Sequence, residues 1–218
     1  MISLVGLPGG GKSTVGRHLA KRLGTVFTDS DTVIEHRLQE SIRSFFEREG
    51  EDRFRDLEQE VIDELTQAPL GVLATGGGSV LREPNRLALH GRTTVVYLRS
   101  TPEELFRRLR HDTQRPLLQV ADPLQRLRDL YAFRDPLYRA TAHFVVETGR
   151  PSVPSLVNMI LMQLELAGVV DPGLARSPVE PLLPVAAVNP SGVLAPGPAS
   201  ALAADTEGPG AGVGVQDA

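Results

Sequence analysis

The sequence predicts an α/β fold built on a five-stranded parallel sheet, and three observations predict it. Short β-rich runs alternate with helical patterns from the N-terminus to about residue 166, as a parallel sheet with crossover helices requires. A glycine-rich motif of the kind that wraps phosphate falls at the first strand-to-helix junction. The 218 residues are 41% hydrophobic and 23% charged, enough for one domain with a sizeable core.

The elements follow in order. The apolar run Ile2 to Val5 is the first strand, and Val15, Leu19, Ala20 and Leu23 mark a helix that stops at Gly24. Further strands are expected at 25–28, 71–74, 94–98 and 144–146. Between them, Phe54, Leu57, Val61, Ile62 and Leu65 recur at helical spacing, and helices are expected at 83–90, 102–110, 123–133 and 152–166. After Ala167 the composition changes: the last 51 residues hold 8 of the 17 prolines, 8 of the 21 glycines and no aromatic residue. Such a stretch buries too little apolar surface to offset its ordering entropy. The division expected is one domain over 1–167 and a disordered Pro/Gly/Ala-rich tail over 168–218.

Composition also excludes functions. No cysteine means no disulfide framework and no thiolate metal site, so any metal must take oxygen or imidazole ligands. The formal charge is -4, yet Arg176 is the single base of the tail against five acids, leaving 22 bases and 22 acids upstream. A neutral body is not that of a general nucleic-acid binder. No apolar stretch approaches the roughly 20 residues that span a bilayer, and no basic leader precedes Ile2, so no membrane contact and a cytoplasmic location are expected.

Gly6-Leu7-Pro8-Gly9-Gly10-Gly11-Lys12-Ser13 matches G-x-x-x-x-G-K-[ST] between a strand and an amphipathic helix. Backbone amides of Gly9, Gly10 and Gly11, continuing into Ser13 and Thr14, would cradle phosphate oxygens at the helix N-terminus. Lys12 supplies a point charge for the β and γ phosphates, and the Ser13 hydroxyl would ligate magnesium. These residues define a nucleotide site but not a reaction.

Two features face it from the carboxyl edge of the predicted sheet, where open α/β sheets bind ligands, and a third lies in a helical insert between the second and third strands. The second strand ends in Asp29-Ser30-Asp31. One carboxylate could hold magnesium through water while the other accepts from an attacking hydroxyl; alternatively, Asp31 merely N-caps a helix starting near Thr32. Gly76, Gly77 and Gly78 follow the third strand, and three consecutive glycines are entropically costly unless backbone must approach something closely. In the charged stretch from Ser41 to Glu58, Arg55 stands apart because Glu58, three residues on, can fix its guanidinium for bidentate capture of a carboxylate. The five histidines show no paired ligand spacing, and Tyr131, Phe133 and Tyr138 read as packing residues.

The phosphate loop, Asp-Ser-Asp, Gly-Glu-x-x-Phe-Arg-x-x-Glu, Gly-Gly-Gly, Arg-Pro-Leu-Leu and Arg-x-Pro-Leu-Tyr occur in one order, and together they closely resemble the shikimate kinase family over about residues 1–166. The resemblance implies a three-layer P-loop kinase fold with a helical substrate-binding insert at about 32–65 and a mobile lid at about 110–122. It implies ATP and Mg²⁺ as cofactors, shikimate as substrate, and phosphorylation of its 3-hydroxyl on the way to chorismate and the aromatic amino acids; a monomer is expected. By match of motif, Asp31 aligns the acceptor hydroxyl and Asp29 touches magnesium through water. Arg55 and Arg134 grip the substrate carboxylate beside Gly76, Gly77 and Gly78. Arg115 reaches the transferring phosphate from the lid, Arg110 stacks on adenine and Arg150 closes the adenine loop. The span from Arg110 to Arg115 is shorter than the family pattern, and Glu40 replaces a common glycine. Two alternatives stand beside this reading: another kinase of the same fold, such as gluconate kinase, or a nucleotide-binding regulator without catalysis.

Overall fold

Strands alternate side chains between two faces, and the sheet shows why this chain needs helices on both. In this computed structural model, residues 1–110, 120 and 122–171 are described, all within one compact unit. Strands β1 (Ile2–Val5), β2 (Phe27–Asp29), β3 (Val72–Ala74), β4 (Thr94–Arg99) and β5 (Phe144–Glu147) pair in parallel in the order β2-β3-β1-β4-β5. Ile2, Leu4, Val96, Leu98 and Val146 point to one face, where α1 (Lys12–Leu23) and α7 (Val153–Leu166) cover them. Val5, Leu73, Val95 and Tyr97 point to the other, beneath α3 (Ile42–Leu65), α4 (Glu83–Arg92), α5 (Pro102–Leu109) and α6 (Pro123–Thr141). Among the described residues no helix is long and apolar enough to cross a membrane.

Helix α2 (Ser30–Leu38) and α3 make the insert between β2 and β3, with a small core of Ile34, Phe45, Phe54 and Val61. Gly50 breaks α3 at φ 83°, a left-handed conformation that side-chain-bearing residues rarely adopt, so the insert helix bends there.

The five expected strands are present, each within two residues of its expected bounds. Helix α6 runs further than expected, through Pro136 to Thr141, because Leu127, Leu130, Tyr138 and Thr141 are all buried along it. Packing of that face outweighs the hydrogen bond that Pro136 cannot make. At the other end of the fold, α7 closes with Gly168 in the left-handed region, Gly168 and Val169 donating to the carbonyls of Glu165 and Leu164. Val170 packs on the core just beyond, so the folded body reaches past residue 167. The remainder of the expected tail, from 172 onward, lies outside the described residues.

Candidate active site

Strand β1 is central, with the order of connections reversing around it, and its carboxyl end is where an open parallel sheet leaves a crevice. The phosphate loop fills that end and runs into α1. The Lys12 side chain is 9% exposed and its ammonium donates to the carbonyls of Gly6 (2.8 Å) and Leu7 (3.0 Å), which draws the charge back over the loop. Ser13 Oγ donates to Asp29 Oδ2 at 2.5 Å, joining the start of α1 to the end of β2.

Asp29 and Asp31 stand on different elements. Asp29 ends β2 and N-caps α2, its Oδ1 accepting from the Asp31 amide at 3.1 Å. Asp31 therefore stands in the first helical turn, half-buried, and the capping role belongs to its neighbour. Burial, then the nearby Asp29 carboxylate, push the Asp31 carboxyl above its ordinary range, with Lys12 opposing them.

The triple glycine after β3 is a crossroads of close contacts. A Cβ on Gly76 would stand 2.6 Å from Asp31 Oδ1, and one on Gly78 would collide with the guanidinium of Arg55. The sequence argued that backbone here must approach something closely, and among the things it approaches are two of the site's own side chains. Arg55 donates from Nη1 to Glu58 Oε2 at 2.6 Å and from Nε and Nη2 to Glu51 Oε1. Glu58 is 1% exposed; burial pushes its carboxyl up, against the pull of Arg55 and, more weakly, Arg134. On the far side, Arg134 Nη1 of α6 donates to the Gly77 carbonyl at 3.0 Å.

One cavity of about 460 Å³ is lined by Pro8, Gly9, Gly11, Lys12, Ser13 and Thr14 together with Asp29, Asp31, Thr75 and Gly77. The phosphate loop thus opens onto the same space as Asp31 and Gly77, while Arg55, Gly76, Gly78 and Arg134 of the expected acceptor side are not on its lining. The residues expected at adenine are less enclosed: Arg110 is exposed at the end of α5, and Arg150 is exposed between β5 and α7. Arg115 and most of the expected lid lie outside the described residues.

Sequence reasoning missed Arg108. Its guanidinium donates to the Thr148 carbonyl, to Thr148 Oγ1 (3.3 Å) and to Ser100 Oγ (3.4 Å), at the carboxyl ends of β4 and β5. Ser100 and Thr148 are themselves hydrogen-bonded and buried, and Gly10 of the phosphate loop lies against Ser100. The signal available was only a run of arginines, Arg107, Arg108 and Arg110, and nothing in that run distinguishes one arginine from another.

A phosphate cradle and a desolvated carboxylate facing each other across one cavity, on a parallel sheet of this order, define a small-molecule kinase of the P-loop class. The family model for shikimate kinase matches residues 8–165, and the chain belongs to the shikimate kinase family. It is 63% identical over 174 residues to the shikimate kinase of Paracidovorax citrulli, an alignment covering 78% of this chain and 95% of that one. Among solved structures it is similar to the shikimate kinase from Acinetobacter baumannii in complex with shikimate, at TM-score 0.72 and 49% identity, covering 77% of this chain and 93% of that one. A gluconokinase from Sinorhizobium meliloti aligns at TM-score 0.50 and 19% identity over 76% of this chain and 91% of that one, a likeness of fold alone.

Proposed function

We infer that the chain transfers the γ-phosphoryl group of ATP to the 3-hydroxyl of shikimate, giving shikimate 3-phosphate and ADP in chorismate biosynthesis. The observation that carries this reading is the single cavity in which Lys12 and Ser13 face Asp31 and Gly77. A new P–O bond forms to the acceptor oxygen as the bond from the γ-phosphorus to the β-γ bridging oxygen breaks, and the acceptor proton passes to Asp31. A carboxyl lifted by burial is a better proton acceptor than an exposed one. Lys12 meets charge on the phosphates, and Arg115, which lies outside the described residues, would add to that stabilisation in the transition state.

Magnesium fits the residues present. Ser13 and Asp29 already share a hydrogen bond and offer only oxygens, and among the described residues no group of three or more acidic or imidazole side chains gathers to cage an ion. Mg²⁺ takes few protein ligands and keeps water and phosphate oxygens. Ser13 would hold it directly and Asp29 through water, and bound there it neutralises charge on the β and γ phosphates. At the nucleotide end we place Arg108 beside the phosphate loop, with Arg110 and Arg150 toward adenine. Arg55 and Arg134 take the shikimate carboxylate, which neutral-acceptor kinases have no need to read.

The test is ADP release with shikimate, with gluconate and with no acceptor, by the wild-type chain and by Lys12→Ala. ADP should form with shikimate and wild type only. Equal release with gluconate, or wild-type rates from Lys12→Ala, would overturn the reading.

A further inference from the structure

Helix α6 places Arg134 and Tyr138 one turn apart on the same face, so both reach the triple glycine. The Tyr138 hydroxyl donates to the Gly77 carbonyl at 2.6 Å, and Arg134 Nη1 donates to the same oxygen at 3.0 Å. A carbonyl oxygen has two lone pairs, and these two donors occupy both. The Tyr138 ring is fully buried and stacked on Tyr97 with centroids 4.9 Å apart, so the hydroxyl is held by a rigid support. Burial drives its pKa well above the usual tyrosine value, which keeps it a donor at every working pH. On its opposite side Gly77 meets the phosphate loop, where an added Cβ would stand 2.6 Å from the Pro8 ring. The Gly77 peptide is therefore clamped between α6 and the phosphate loop. Arg134, for its part, commits Nη1 to that peptide while its buried Nε has no partner among the described residues.

We propose that Tyr138 is a positioning residue for substrate recognition: its hydroxyl fixes the Gly77 carbonyl, and through that shared acceptor sets the orientation in which Arg134 meets the substrate carboxylate. This rests on the reading of shikimate as acceptor. It gives Tyr138 a role beyond packing, carried by its one hydroxyl oxygen. Tyr138→Phe is the natural probe, because it keeps the ring against Tyr97 and leaves Gly77 still bonded by Arg134.

The experiment measures kcat and both KM values, with melting temperature, for wild type, Tyr138→Phe, Arg134→Ala and the double variant. Tyr138→Phe should raise the shikimate KM about five- to tenfold, with kcat within about twofold and the ATP KM unchanged. In the Arg134→Ala background the same change should add less than about twofold, since the arginine it orients is gone. Partial misfolding would not obscure this, because inactive protein lowers apparent kcat without altering either KM. An unchanged shikimate KM, an equal effect in both backgrounds, or parallel rises in the two KM values would overturn the proposal. If wild type uses shikimate and Tyr138→Phe matches it, this inference fails alone. If wild type does not use shikimate, the functional reading fails and takes the inference with it.

Discussion

Arg55 and Glu58 are held together inside the protein, and that burial changes what their mutants should do. Arg55 is 11% exposed and Glu58 is 1% exposed in side-chain terms, so Arg55→Ala strands a carboxylate in the interior, at a cost of about 3 to 5 kcal/mol. The pH dependence has a definite sign. Burial already raises Glu58 above its ordinary 4.5, and losing Arg55 lets it rise further. A carboxyl whose folded pKa exceeds its unfolded one contributes stability below the unfolded value, lost as pH rises through the folded value. Denaturant unfolding should therefore show the gap between Arg55→Ala and wild type widening from pH 4 to pH 7; a constant gap would contradict the buried pairing. The pairing itself was legible, because residues three apart on a helix must meet. The place of Asp31 was not, since capping by Asp29 starts the helix at Ser30 and leaves no extended segment for the two carboxylates to share.

At the scale of elements, the loop after β3 is ordered by what surrounds it. Gly76 donates its amide to Ser30 Oγ at 3.0 Å and Ser79 Oγ returns a bond to the Gly76 carbonyl at 2.9 Å, so the loop cannot drift to accommodate a side chain. Gly78→Ala would drive a methyl into the Arg55 guanidinium. The shikimate KM should rise about tenfold while the ATP KM stays put, because the phosphate loop is untouched; steady-state kinetics showing an unchanged shikimate KM would mean that Arg55 is free to step aside. The glycine run announced a close approach but not its partners, which come from α2, α3, α6 and the phosphate loop. Helix α6 was underestimated for a related reason: Pro136 is a local stop signal, whereas the burial of Tyr138 and Thr141 that carries the helix onward belongs to the tertiary structure.

For the whole molecule, alternation of strands and helices was enough to specify a parallel sheet, but strand order was not readable, because crossover connections leave it open. That order brings the ends of β1, β2 and β3 to one cavity and so converts separate motifs into a site. The C-terminal segment has no part in this cavity among its described residues, and from 172 on its composition offers little to bury. Deleting residues 172–218 should leave shikimate turnover within about twofold and the melting temperature nearly unchanged; a large loss in either would make the segment part of the folded enzyme. The central claim is that a carboxylate held by arginine selects the acceptor. It is tested most directly by comparing kcat/KM for shikimate and for its uncharged carboxamide, in wild type and in Arg134→Ala. The account predicts that wild type strongly prefers shikimate and that Arg134→Ala loses about ten- to a hundredfold on shikimate and little on the carboxamide. Wild type using both equally well, or a variant losing as much on the carboxamide as on shikimate, would contradict it.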